Sequence, residues 1–297
     1  MTLGSQTLQF LIAGLSVGAI YALIALGFGV IYNATQIVNF AQGEFVMLGA
    51  LLTVTLHHSA HLPLPLACLL AVLGVVVVGV LVERLAIRPV RAAGVLAMII
   101  VTIGVSIALR GIAMLIWGKE HVPLRPFSSV EVVRLGGAAV LTQSLWVIGI
   151  TLAVMAALHL FYSRATLGKA MRAAAITREG AALVGISPGA TVFWSFALAG
   201  GLGAVAGLLI APIHMAAYGM GTMLGLKGFA AAILGGIGSS VGAIVGGLAL
   251  GVLEAMGAGF APAGLGGYKD AFAFIILLIV LFARPAGLFG GGGAGEE

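Results

Sequence analysis

Stretches of about twenty apolar residues recur along this chain, near 8–30, 34–56, 64–82, 95–117, 142–162, 189–211 and 265–283. Each is long enough to cross roughly 30 Å of hydrocarbon as an α-helix. In lipid the backbone finds no water, so a crossing segment must satisfy its own N–H and C=O groups. Only 8% of the 297 residues are charged and 61% are hydrophobic. A soluble domain carries roughly 25% charged residues, and so little polar surface cannot cover a soluble core of this size. The chain therefore reads as one all-α, polytopic integral membrane bundle, with about seven full spans. The first charge of any kind is Glu44 and the first basic residue is Arg84, so a signal peptide with a positive n-region is not indicated and the first helix is expected to remain as a span. Cys68, the single cysteine, cannot form an internal disulfide.

Residues 226–256 differ from the other windows. They are apolar but broken at Gly235, Gly236 and Gly238, and are too short for two spans and a turn. They are expected to enter and leave on one face as a re-entrant hairpin. Basic residues collect at 83–94 (Arg84, Arg88, Arg91), at 163–188 (Arg164, Lys169, Arg172, Arg178) and at Arg284, eight of the fourteen Lys and Arg. The positive-inside rule places these three segments in the cytoplasm, with the N-terminus outside and the C-terminus inside. The stretch 31–43 is the weak point of that count, because it can itself be re-entrant. The net charge of +5 is topological, not a nucleic-acid footprint. The glycines at 290–293 are expected to begin a flexible tail over 290–297.

The loop 163–188 carries its own helix signals. Thr166 and Thr177 can each cap a short helix, Gly185 suits a left-handed C-cap, and Pro188 prevents continuation. Glu179 lies where the macrodipole favours negative charge. Two short helices with small residues, flanked by Arg and Glu, read either as a docking surface or as a solvated loop that only sets topology.

The order Gly168-Lys169-Ala170-Met171-Arg172-Ala173 followed by Arg178-Glu179-Gly180-Ala181-Ala182-Leu183-Val184-Gly185-Ile186 resembles the coupling loop of ABC-importer permeases of the LivH-type branched-chain amino-acid family. "GAIYALIALGFGVIY" with "IVNFAQGEF" is similar to that family's N-terminal signature. "GLKGFAAAILGGIGSSVGAIVGGLALGVLE" is similar to its C-terminal half, and "YKDAFAFIILLIVLFARPAGLFG" to its closing segment. One departure is Gly180, where the family pattern usually has alanine.

The resemblance implies a permease of the cell inner membrane that imports branched-chain amino acids or related small substrates such as urea. It implies a second LivM-like permease or a copy of this one, two cytoplasmic ABC ATPases that use ATP and Mg, and an extracytoplasmic binding protein. Gly168, Arg172, Thr177, Arg178, Glu179, Ala181, Ala182 and Gly185 would then contact the ATPase. No phosphate loop occurs in the chain, since Gly168-Lys169 lacks the preceding glycine and the following Ser or Thr. No cofactor and no metal are expected on it. The rival readings are an ATP-independent secondary transporter or channel with broken helices, and a membrane-embedded enzyme, for which no catalytic constellation is evident.

Polar residues inside the spans are the candidate path or gate: Asn39, Gln42, Gly43 and Glu44, with Gly235, Gly236, Gly238 and Ser239 at the break. Glu44 reads equally as a gate residue or as an acidic first turn at the interface. Arg110 is expected to snorkel to the outer headgroups in preference to pairing with Glu44. His57 and His61 share a helical face without acidic or cysteine ligands nearby, and Trp117, Trp146 and Trp194 read as interface anchors. G-x-x-x-G pairs at 14/18, 203/207, 242/246 and 247/251 read as close helix contacts. A leucine is expected to be better tolerated at Gly14, on an outer span, than at Gly236.

Overall fold

The computed structural model describes residues 3–130, 132–135, 138–260, 269–284 and 286–289. The tail at 290–297 and the start of the last apolar window lie outside the described residues. Twelve α-helices are described: α1 (Leu3–Thr35), α2 (Gln42–His58), α3 (Leu64–Val82), α4 (Arg88–Val90), α5 (Val95–Trp117), α6 (Thr142–Arg164), α7 (Thr166–Ile176), α8 (Arg178–Leu183), α9 (Pro188–His214), α10 (Met220–Gly235), α11 (Ser240–Phe260) and α12 (Lys269–Ala283). A small antiparallel hairpin, β1 (Val132–Leu135) and β2 (Ala138–Leu141), sits between α5 and α6.

Six of the described helical segments, not seven, are long and apolar enough to cross a membrane: α1, the segment Leu64–Val90 that contains α3 and α4, α5, α6, α9 and α11. The window at 34–56 yields only the 17 residues of α2. Its first part unwinds, because Gln36 adopts φ +58° and Asn39 Oδ1 accepts the Ala41 N–H, which holds 36–41 out of helix. This segment turns back into the bundle. Gln42 packs on Gly27, eight residues before the end of α1, so α2 starts about 12 Å deep. The re-entrant hairpin expected at 226–256 is corrected in the same way: α10 is short at 16 residues, but α11 runs 21 residues to Phe260 and is a full-length span.

Helices α1 and α9 form the centre of the bundle, with 67% and 72% of their apolar windows buried, against 17% for α5 and 22% for α6. Lipid and partner surfaces are therefore supplied by α3, α5 and α6, which display Leu69, Val77, Leu96, Leu115 and Leu152. Central helices approach closely because their facing residues lack side chains. Gly14 and Gly18 of α1 meet Gly251 and Gly247 of antiparallel α11, and a Cβ on Gly247 would fall 2.4 Å from the Ala22 nitrogen. The other two pairs behave likewise, 203/207 against Phe45 and Val46 of α2 and 242/246 against Gly235 and Ala231 of α10. Gly14 is thus not on an outer span: a Cβ there would lie 2.7 Å from Val252 Cα.

Leucine at Gly247 must separate α1 from α11, so Gly247→Leu is expected to cost about 1–3 kcal/mol or more by overpacking. Gly104→Leu, at an exposed α5 position with open space around it, should be silent. Thermal unfolding of the purified protein in mild detergent checks both, and equal melting temperatures would contradict the glycine seam.

Candidate functional site

The loop 163–188 folds as two helices, α7 and α8, joined at the extended residue Thr177. Thr166 does not cap α7. It is the first helical residue, the extended Ala165 occupies the cap position, and the sharp bend there is made possible by Gly168, whose Cβ would fall 2.2 Å from the Phe161 carbonyl oxygen. Thr177 does stand at the N-cap of α8, although its hydroxyl makes no capping bond. That hydroxyl instead sits over Gly180, where an alanine Cβ would come within 2.5 Å of it. The departure from the family's alanine therefore has a local reason. Gly185 ends the helix with φ +84°, and Ser187, overlooked as a signal, accepts from the Ala190 N–H to start α9.

One side chain ties this loop to the bundle: the Arg178 guanidinium donates to the Ala34 carbonyl in the last turn of α1 at 2.9 Å. Ala181 is buried beneath α8, whereas Arg172, Glu179 and Ala182 are exposed. Beside them Ile176, Leu183 and Val184 are 82%, 88% and 74% exposed, an apolar face with no covering element among the described residues. On the same side of the bundle Arg91 pairs with Glu83 and Arg84 lies over the Phe193 ring, 5.3 Å from its centroid. Burial, with Arg88 and Arg178 close by, holds the Arg91 guanidinium below its usual range despite Glu83.

At the glycine break Gly235 and Gly236 are buried, and residues 237–239 are half-buried. Gly236 and Gly238 adopt φ +100° and +92°, which only glycine takes without strain, and the chain reverses between α10 and α11. The freed backbone groups find partners in three places. Asn33 Nδ2 donates to the Gly238 carbonyl at 2.9 Å, the Leu288 and Phe289 N–H groups donate to the Leu234 and Gly235 carbonyls, and Ser239 Oγ accepts from the Gly242 N–H. Ser239 is thus spent as the N-cap of α11. Gly235 lies against Gly242, at the crossing of the two helices.

Asn39, Gln42, Gly43 and Glu44 gather at the buried start of α2, where Gly43 crosses Gly221 and Gly225 of α10. Gln42 Nε2 donates to the Ala199 carbonyl at 3.1 Å. Glu44 Oε1 accepts from Ser106 Oγ at 2.9 Å and from Arg110 Nη2 at 3.3 Å. Arg110 therefore does not snorkel outward. A buried carboxylate one helix away outbids the headgroups, because its own desolvation is relieved only by a cation. Asn39 Nδ2, Gln42 Oε1, Glu44 Oε2 and Arg110 Nε have no protein partner among the described residues, and a cavity of about 160 Å³ opens beside Glu44, Ser106, Arg110 and Thr222. From Gly225 to Gly235 is ten residues of α10 and from Gly221 fourteen, about 15–21 Å along the helix, so the two groups of candidate residues do not form one site.

A second intramembrane charge cluster was not singled out in the sequence. Lys227 Nζ donates to Glu254 Oε1 at 2.7 Å, Tyr21 Oη donates to Glu254 Oε2 at 2.9 Å, and all three residues are buried. The ammonium also lies 5.6 Å from the Tyr21 ring centroid. The available signal was a lone charge in each of two apolar runs, "GLKGF" and "GVLEAMG".

A helical bundle with six membrane-length segments among the described residues, buried ion pairs, a short helix that starts inside it and a built loop on one face fits a polytopic membrane transport protein. The chain belongs to the permease-component family of branched-chain amino acid transport systems, whose family model matches residues 10–281; it is a transport subunit and not an enzyme. It is 37% identical to the Pseudomonas aeruginosa high-affinity branched-chain amino acid transport system permease protein BraD, over 95% of each chain. It is 33% identical to LivH of Escherichia coli K12, again over 95% of each, and 28% identical to a probable LivH of Methanocaldococcus jannaschii over 90% of this chain and 88% of that one. Among solved structures, PsaBC from Streptococcus pneumoniae in complex with Fab aligns with a TM-score of 0.52 at 15% identity, covering 95% of this chain and 93% of that one, a likeness of fold alone.

The buried pair sets a clear stability expectation. Lys227→Met alone leaves Glu254 charged and uncompensated, at a cost of about 3–5 kcal/mol, whereas Lys227→Met with Glu254→Leu should regain most of that loss. Thermal unfolding of the three proteins checks it, and equal loss in the single and double variants would contradict it.

Proposed function

We propose that this chain is the membrane-spanning permease subunit of an ATP-driven ABC importer that moves branched-chain amino acids, or related small substrates such as urea, into the cell across the inner membrane. ATP and Mg act on separate chains: two cytoplasmic ABC ATPases. A second LivM-like permease or a copy of this chain completes the pore, and an extracytoplasmic protein delivers substrate. The cytoplasm holds the C-terminus, and the N-terminus of α1 lies outside, in keeping with the basic residues at the ends of α3 and α6.

The observation that carries this reading is the loop 163–188. An exposed apolar face of Ile176, Leu183 and Val184, tied to α1 by the Arg178 bond, supports a surface for another protein. It supports the assignment of Gly168, Arg172, Thr177, Arg178, Glu179, Ala181, Ala182 and Gly185 to an ATPase contact, with Gly168, Thr177, Ala181 and Gly185 shaping the loop and the exposed residues touching the partner. A channel or secondary transporter needs no such surface. Substrate would pass by the unsatisfied polar groups of Asn39, Gln42 and Glu44 at the Gly43 crossing. Gly235, Gly236, Gly238 and Ser239 would act as the hinge between α10 and α11. Adjacent α1 residues bond to both parts, the Ala34 carbonyl accepting from Arg178 of α8 and the Asn33 side chain donating to the Gly238 carbonyl, so movement of α8 would pass through the end of α1 to that hinge.

Ala182 is exposed, so Ala182→Arg should leave the fold intact yet block docking. Uptake and substrate-stimulated ATP hydrolysis are expected to vanish while insertion persists; normal transport would refute the docking role. Glu179→Ala should be milder, since an exposed charge contributes about 0–1 kcal/mol. A cysteine at Ser163 in a Cys68→Ala background tests orientation: labelling by an impermeant reagent in intact cells would reverse the topology.

A further inference from the structure

The Lys227–Glu254 pair does more than join α10 to α11, because it forms one wall of a cavity. The cavity holds about 360 Å³, within the range of small-molecule sites, and lies among the N-terminal half of α1, the end of α9, the start of α10 and the last turns of α11. Its other walls are aliphatic and thioether side chains: Val17, Ile210, Met220, Met223 and Leu224. Tyr21 and His214 complete the polar end.

We infer that this cavity is a station for a zwitterionic α-amino acid, with Glu254 receiving the ammonium group, Lys227 the carboxylate, and the apolar wall the branched side chain. The inference rests on the importer reading above and adds to it where the substrate is recognised.

The physical argument begins with charge. A free amino acid carries one positive and one negative group on adjacent atoms and is neutral overall. A buried, hydrogen-bonded pair of opposite charges presents the complementary arrangement, also neutral overall. Opposed to the zwitterion, it makes two charge-assisted contacts without placing a net charge in the membrane. An inorganic ion or a molecule with only one of the two charges would bring a net charge into the membrane, which is costly in such surroundings. The same neutrality limits how tightly the ligand is held, and a translocation site must release as well as bind. Met220 and Met223 suit the hydrophobic wall, because unbranched thioether chains adjust to leucine, isoleucine or valine alike. The cavity also lies at the outer end in the proposed topology, bordered by Ala13 near the start of α1 and Ala258 near the end of α11, where a delivered substrate first meets the bundle.

The test uses the permease reconstituted in vesicles with its ATPases and binding protein, and leucine bearing a photoreactive diazirine. Illumination during ATP-driven uptake is expected to label peptides containing Met220, Met223 or Leu224. Excess leucine should suppress the labelling, while isoamylamine and isocaproate, each with one of the two charges, should not. Suppression by either one-charge compound as strong as that by leucine would overturn the two-ended recognition. Lys227→Met/Glu254→Leu should still co-purify with the ATPases but lose leucine uptake by about tenfold or more, equivalent to roughly 1.4 kcal/mol in the barrier. Parent-like uptake by that variant would reduce the pair to a structural link. Because labelling of the parent needs no variant, a misfolded double variant leaves the inference testable: absent labelling on these walls in a parent that does import leucine overturns the station and spares the importer reading. A parent complex that imports no leucine overturns both.

Discussion

Everything in this bundle follows from the cost of leaving a backbone amide or carbonyl unpaired in lipid. Full-length helices meet that requirement alone, so α3, α5 and α6 can stand at the periphery with apolar side chains outward. The chain leaves helical geometry inside the bundle only where other protein groups take over the bonds. At the glycine break these are Asn33, Ser239 and the 286–289 segment; at the turn before α2 the Asn39 side chain does the same for Ala41. Both irregular segments adjoin the end of α1, one of the two most deeply packed spans.

Close packing and polarity are linked there. The glycine faces that bring α1 against α11, and α2 against α9 and α10, let backbones approach so nearly that few side chains fit between them. The polar groups that remain, Glu44 with Ser106 and Arg110, and Glu254 with Lys227 and Tyr21, lie beside these contacts. Each carboxylate is matched by a cation from a different helix. These two intramembrane pairs are therefore tertiary in origin, and neither can form until the bundle closes. The end of α1 joins these parts to the aqueous face, because adjacent residues Asn33 and Ala34 bond to the glycine break and to Arg178 of the loop.

Much was legible in the primary structure because it depended on local chemistry. Apolar run lengths reveal spans, Gly185 ends a helix, Gly235 to Gly238 interrupt one, and the four G-x-x-x-G pairs mark faces that touch. The membrane class and the family were accessible for the same reason: ordered motifs survive as contiguous strings. The boundaries were harder. A 34–56 window and a 226–256 window look alike in hydropathy, yet one became a 17-residue helix that starts inside the bundle and the other a short helix followed by a full span. Hydropathy sums over a window and does not register a single left-handed residue such as Gln36.

By itself, then, the sequence determined that the chain crosses a membrane in helices, that basic residues collect in a few short loops, and that the 163–188 loop is built of two short helices. Tertiary structure alone decided which charges meet. Arg110 turned inward to Glu44 although headgroups were within its reach, and Lys227 met Glu254 from 27 residues away and Tyr21 from the opposite end of the chain. The physical reason is that a charge in low dielectric takes whatever partner the packing brings within hydrogen-bond distance. That proximity is a property of helices crossing in space, which no spacing along the chain encodes.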